Sequence, residues 1–330
     1  LVALARDRER PGDAAELAPA ARNAIRRAGN EPRFRATVER ALAGAAMVTG
    51  DLAGARAHIK SALALLAAER YPQERADVLF TMSNLNKDET RYPEALFALA
   101  EARALYEKEF GPESKQIADV DYSRSVLLVR LRRCDEAVTA GESAIAMGMR
   151  MTGAEDAELY LDHMNLGRAH ACRKDAVAAR ASFARALAIA EKAGPESLRL
   201  ANAEIEFGQA LVLLERHREA LVHLRRGLVI AEKKNDIVIV GMALCGIGQA
   251  EHELGQFRRA EGWLKRAVEH YERHDIKADL AETLTHLAKT ELALGRPGRA
   301  RAACDRSLAI YVEAKISPAE VHAVCESVAR

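Results

Sequence analysis

Residues 247–267 read IGQAEHELGQFRRAEGWLKRA, and their spacing decides the fold. A small pair, Ile247-Gly248, is followed seven residues later by Gly255, and then by Phe257, Ala260, Leu264 and Ala267. Apolar residues at i, i+3, i+4 and i+7 on both sides of Gly255 make two amphipathic helices, A and B, joined by a short turn. A small residue where two helices cross lets their axes come within ~8–10 Å. Gly248 is therefore expected to lie against Ala260.

The pattern recurs along the chain. Leu42-Ala43 leads to Gly50, Leu52, Ala55, Ile59, Ala62 and Leu63, and Leu166-Gly167 leads to Ala179, Phe183, Ala186 and Leu187. Leu287-Ala288 leads to Gly295, Ala300 and Leu308. The turn position falls at Gly12, Gly50, Thr90, Arg132, Lys174, Glu215, Gly255 and Gly295, with successive separations of 38, 40, 42, 42, 41, 40 and 40. A period this constant excludes an ordinary globular fold and requires a repeat array. The linker repeats as well: Gly111-Pro112-Glu113-Ser114 returns as Gly194-Pro195-Glu196-Ser197, two periods later. Gly and Pro there end one helix before the next begins.

Composition agrees with a folded chain of thin, close packing. Of 330 residues, 49% are hydrophobic, only 5% are aromatic and 29% are charged. That is too apolar for disorder and too charged for a membrane protein. The formal net charge of +1 provides no global field toward nucleic acid or an anionic bilayer. The longest apolar run, Ile237 to Cys245, is about half the ~18 residues a bilayer requires. Cys134, Cys172, Cys245, Cys304 and Cys325 are odd in number and widely spaced, without a C-x-x-C pair. This pattern reads as reduced, buried thiols in a cytoplasm. The chain starts at Leu1 with no secretory leader pattern, which reads as a fragment or a processed chain.

These residues and offsets resemble the tetratricopeptide repeat. The ~40-residue period resembles the long-helix variety of kinesin light chains and of the repeat regions of bacterial serine/threonine kinases and nucleotide-binding transcriptional regulators. The resemblance implies an all-α, right-handed α-solenoid (superhelix) of helix–turn–helix repeats. Residues 1–33 are expected to be a truncated N-terminal repeat, mainly helix B; residues 34–314 seven repeats; and residues 315–330 a C-terminal capping helix opened by Ser317-Pro318-Ala319-Glu320. Two repeats depart from the pattern, with Ser83 and Ser125 where the family has Gly, and Arg124 where it has Leu.

Catalytic and metal signatures do not survive inspection. His252-Glu253 begins an H-E-x-x-H motif, but Gln256 replaces the second His. Gly246-x-Gly248-x-x-Glu251 lies within a helix, not after a strand. His270 and His274 stand at i, i+4 without an evident third ligand, and cations there suit the helix C-terminus. No metal, cofactor or catalytic role is assigned.

By the resemblance, the A helices line a concave groove. Its positions are Phe80, Asn84, Lys87, Tyr122, Val126, Arg130, Met164, Asn165 and Arg168, followed by Asn202, Glu206, Gln209, Gln249, His252, Glu253, Glu282, His286 and Lys289. The residues assigned to partner binding are Asn84, Tyr122, Arg130, Asn165, Arg168, Asn202, Glu206, Gln209, Gln249, His286 and Lys289. Amides both donate and accept, so they can pair with a peptide backbone whatever its side chains. Arg168 between Asn165 and Asn202 could grip a carboxylate. A basic turn edge that includes Arg132, Arg133, Arg173, Lys174, Arg216 and Arg296 reads as complementing helix dipoles.

The expected function is a non-catalytic protein–protein interaction scaffold in a larger bacterial signalling protein such as a serine/threonine kinase. It would bind a peptide, a protein or another domain of the same polypeptide. The alternative is a ligand- or peptide-sensing receptor domain of a bacterial transcriptional regulator. No nucleic-acid or membrane partner is expected, and the sequence leaves the oligomeric state open.

Overall fold

A computed structural model describes residues 30–67, 70–153, 159–192 and 194–314, with 19, 20, 23, 26, 27 and 325. Most of the expected N-terminal partial repeat and capping helix lies outside these residues. The chain divides into two compact units, Leu1–Glu155 and Asp156–Arg330. The first holds α1 (Pro32–Val48), α2 (Leu52–Ala64), α3 (Pro72–Asp88), α4 (Tyr92–Phe110), α5 (Lys115–Arg130) and α6 (Cys134–Thr152). The second holds α7 (Leu159–Cys172), α8 (Ala176–Lys192), α9 (Leu198–Leu213), α10 (His217–Lys234), α11 (Ile237–Glu253), α12 (Phe257–Arg273), α13 (Lys277–Ala293) and α14 (Pro297–Ala314). Odd-numbered helices are A and even-numbered ones B. Within each unit an A helix packs on its own B helix and each B helix packs on the A helix that follows. Each unit is thus a short all-α solenoid.

The turns repeat at atomic detail. Gly50, Thr90, Arg132, Lys174, Glu215, Gly255 and Gly295 all take left-handed φ, between 58° and 78°. The next residue's N–H reaches back six positions inclusive, as in Arg133 to Leu128, Arg216 to Leu211, Gln256 to Glu251 and Arg296 to Glu291, at 2.8–2.9 Å. That bond satisfies a carbonyl at the end of helix A and sets the chain up to start helix B. A left-handed φ costs an ordinary L-residue ~1–2 kcal/mol, and Thr90 adds a branched Cβ.

At the A–B crossings the structure refines the expected contact. A Cβ on Gly167 would sit 2.7 Å from the Phe183 ring, and one on Gly248 would sit 2.6 Å from Leu264 Cγ. Gly208 repeats this against Leu224, at 2.5 Å. The glycines therefore receive a large side chain of helix B, one turn beyond the alanines Ala179 and Ala260, which are themselves fully buried. Ser125 fills the equivalent position in α5, where its hydroxyl donates to the Ala137 carbonyl at 2.6 Å. The departure from Gly thus keeps the crossing close by means of a hydrogen bond.

The two copies of the Gly-Pro-Glu-Ser linker behave differently. Ser197 caps α9, its hydroxyl accepting from the Leu200 N–H at 3.2 Å. Ser114 makes no such bond, and its hydroxyl is buried without a partner. The reading of all five cysteines as reduced thiols is corrected: Cys304 is disulfide-bonded to Cys325, with Cα atoms 5.6 Å apart, and Cys134 and Cys172 are disulfide-bonded as well. Cys245 is a buried free thiol.

Two substitutions test this packing. Thr90→Gly should raise stability by about 1 kcal/mol by relieving the left-handed strain, read as an increased denaturation midpoint. Gly167→Val should lower it by ~1–3 kcal/mol, because Phe183 has no room to retreat; an unchanged midpoint would refute the close approach.

Candidate functional site

Among the described residues of each unit, the A helices leave one face without a covering layer. In Asp156–Arg330 this face carries a row of polar side chains joined from one A helix to the next. Arg168 of α7 donates through Nε to Glu206 of α9 at 2.5 Å. Asn202 of α9 donates to the Tyr160 hydroxyl of α7 at 3.2 Å, and that hydroxyl donates to the Arg199 carbonyl at 3.0 Å. Gln249 of α11 lies 2.7 Å from His286 of α13, so its amide N–H donates to His286 Nε2. His252 of α11 donates through Nδ1 to Thr290 Oγ1 at 2.9 Å, because the Thr290 hydroxyl is itself donating to the His286 carbonyl.

The assigned residues are thus not equivalent. Arg168, Asn202, Glu206, Gln209, Gln249 and His286 are half-buried in this row, while Lys289 is exposed. Asn165 is 1% exposed with its amide nitrogen unpartnered, so it stands beneath the surface rather than on it. Arg168 is engaged by Glu206. In Leu1–Glu155 the corresponding face carries Asn84 and Tyr122, half-buried, and Arg130, exposed.

Sequence reasoning missed the apolar side chains beside this row. Leu161 is 53% exposed and Leu213 70%, and Val238 and Leu292 are exposed too. In a helical pattern they look like core. Register offered a signal for Leu213 and Leu292, which stand one helical turn from Gln209 and Lys289. Gly246 serves the packing beneath this face, since a Cβ on it would come within 2.8 Å of the Leu224 side chain of α10.

Several arginines of the basic turn edge are paired within the chain. Arg91 binds Glu94, Arg133 binds Glu136 and Arg216 binds Glu219, each at 2.7–2.9 Å across i, i+3 at the start of a B helix. Arg173 binds Asp175 at 3.0 Å, and Arg296 binds Glu261 and Glu291 at 3.0 and 3.2 Å. The Arg133 hydrogen bond holds Glu136 below the usual carboxylate range. His270 Nε2 is held 2.7 Å from the Ile237 carbonyl.

A second polar series lies between A and B helices. Glu204 is fully buried, with His223 and Arg226 each at 2.6 Å. Asp121 is 2% exposed and accepts from Arg103, Arg124 and Ser143 at 2.8–3.1 Å. His163 occupies the same repeat position in α7. Burial, aided by the Arg185 charge, pushes it down to about 4 from an ordinary 6.5.

Comparison with known proteins agrees with this geometry. Residues 156–233 and 280–314 each match a tetratricopeptide repeat family. Those two spans carry tetratricopeptide repeats, and the fold around them is that of a tetratricopeptide solenoid. No curated protein matches the sequence. Among solved structures, the apo form of RapI aligns with TM-score 0.66 and 15% identity, over 85% of this chain and 98% of that one. A Rap protein complexed with competence and sporulation factor aligns at 0.55 and 16%, over 84% and 77%. Kinesin light chain-like repeats from Podospora anserina align at 0.53 and 16%, over 62% and 98%.

His163 makes this unit acid-sensitive. Its folded pKa lies below its unfolded value, so between pH 6.5 and about 4 the unfolded chain binds more protons. Stability should fall as pH drops through that window. His163→Gln should flatten the dependence in thermal melts, and an identical slope in both proteins would refute it.

Proposed function

We propose that this chain is a non-catalytic interaction region that binds a peptide or partner domain across its A-helix face. The observation that carries the reading is the exposed Leu161 and Leu213 beside a half-buried row of Arg168, Gln209 and Gln249. Apolar anchors beside adaptable amides are what an extended or helical peptide needs: the leucines desolvate its side chains and the amides pair with its backbone. Pre-ordered helices keep the entropic cost of that contact low. The relatives with this fold support an interaction role, and the Rap protein complexed with competence and sporulation factor supports a sensing receptor as the second reading.

Within this reading the chain comprises a partial repeat at 1–33, seven repeats at 34–314 and a cap at 315–330, as the regulatory or scaffold part of a bacterial signalling protein such as a serine/threonine kinase. No helix among the described residues is long and apolar enough to cross a membrane. A cytoplasmic setting rests on cysteine usage, and the Cys304–Cys325 bond weighs against a permanently reducing one.

The test is selection from a random peptide library on the immobilised chain, with a Gln209→Ala, Gln249→Ala, Leu213→Ser variant as the counter-screen. Selected peptides should bind the variant at least roughly tenfold more weakly in titration calorimetry, each lost contact being worth ~1 kcal/mol. Equal affinity for both proteins would remove this face as the binding surface.

A further inference from the structure

The B helices of the second unit differ from its A helices in charge. The four B helices hold sixteen Lys or Arg against eight Asp or Glu, and the four A helices hold four against eight. The excess is concentrated on two neighbours. Arg218, Arg225, Arg226 and Lys233 of α10 return forty residues later as Arg258, Lys265, Arg266 and Arg273 of α12, and all of them are exposed. At the same four positions α8 keeps two cations and α14 one. Spacings of seven and eight residues put each set on one stripe of its helix. On that stripe α10 also exposes Val222, 66%, and Val229, 54%. Opposite Val222 in the register α12 has Gly262, where a Cβ would meet nothing within 4 Å. Successive A helices pack on one another, whereas successive B helices are bridged by ion pairs, from Glu191 to Arg226 and from Glu232 to Arg266, at 3.1 and 3.6 Å. Internal acids compensate only part of the charge. Arg225 binds Glu251, Arg226 also binds Glu204, and Lys265 binds Glu261, at 2.5–2.9 Å. Among the described residues, Arg218, Arg258 and Arg273 have no partner for their guanidinium groups. Each therefore presents a charge and a rigid fork that suits a carboxylate.

We propose that the outward stripes of α10 and α12 form a second docking surface, whose occupant is an acidic, amphipathic helical segment of a partner protein. Two helical turns separate the cations along each stripe. A partner helix lying along them meets them with a carboxylate every seven residues, about 10.5 Å. Aliphatic side chains halfway between its carboxylates cover Val222 and Val229, and that apolar contact adds to the charge attraction. Nucleic acid suits this surface less well. Arg266 lies over the Trp263 ring, 4.5 Å from its centre, Tyr271 is buried and Phe257 packs against His252, which leaves these two helices no open ring for base stacking. A phosphate backbone also gains nothing from the exposed valines. The surface is separate from the A-helix face proposed above, because it is built on other helices.

The probe is a fluorescein-labelled helical peptide of about 22 residues, with paired Glu every seven residues, Leu halfway between them and Ala and Gln elsewhere. Fluorescence anisotropy on the intact chain should show saturable binding that weakens as salt rises. Arg218→Glu, Arg258→Glu and Arg273→Glu together should weaken it at least roughly tenfold, with an unchanged thermal melt, since these side chains hold no internal contact. Val222→Ser with Val229→Ser should weaken it several-fold. The Gln209→Ala, Gln249→Ala, Leu213→Ser variant should bind the probe like the parent chain, so this surface and the A-helix face stand or fall separately. No binding to the parent chain would overturn the proposal, as would equal affinity for the parent and the arginine triple variant. A peptide with Gln in place of Glu that binds as tightly would do the same. So would an indifferent valine pair, or a single-stranded oligonucleotide or phosphatidylserine vesicle that binds more tightly than the peptide through the same arginines.

Discussion

The close approach of helix A to helix B is the constraint on which the structure depends. Gly167 beneath Phe183, Gly208 beneath Leu224 and Gly248 beneath Leu264 each leave no room for a Cβ. With so few aromatic residues, a single ring or leucine per crossing must do what several large side chains do in a globular core. Its socket must therefore be bare backbone. That approach in turn fixes the orientation of the A helix, and with it the side chains that are left facing outward. The polar row of the second unit follows from this packing, since its members are the residues that face neither the partner B helix nor the preceding one.

The polar groups divide between two tasks. Glu204 and Asp121 are inside, and each is surrounded by cations or hydroxyls that compensate its desolvation. They fix how A and B are seated on each other. Gln249, His286, Arg168 and Glu206 lie at the surface and tie successive A helices together. Side chains already pre-positioned by such bonds offer a partner a defined pattern of donors and acceptors, with little ordering left to be done.

Much of this was legible in the sequence. The turns were, because a left-handed residue at a fixed offset from a small pair leaves a mark even where it is Thr90 or Arg132 and not Gly. The socket partner was misplaced by one helical turn, because Ala179 and Phe183 share a helix face and spacing alone cannot rank them. Ser125 departs from the glycine pattern for a related reason: its hydroxyl replaces the glycine by bonding to a backbone carbonyl, a contact with no sequence signature. The pairings on the A-helix face were not legible, since Arg168 and Glu206 lie 38 residues apart and nothing local records which neighbour each side chain turns to. Leu213 was overlooked because periodicity treats every leucine as core. The Cys304–Cys325 bond was invisible because odd, scattered cysteines carry no pairing information until the chain is folded.

The bonds between successive A helices have a mechanical consequence. In the second unit nearly every hydrogen bond on that face spans one repeat, from Arg168 to Glu206, from Gln249 to His286 and from His252 to Thr290. Among the described residues these bonds thus fasten each repeat to its neighbours and to none farther away. Tension applied along such a unit is carried link by link, and a link that parts spares those beyond its immediate neighbours. The unit would stretch as a chain of small, separately reversible steps, which makes it a spring whose stiffness is written into individual pairs.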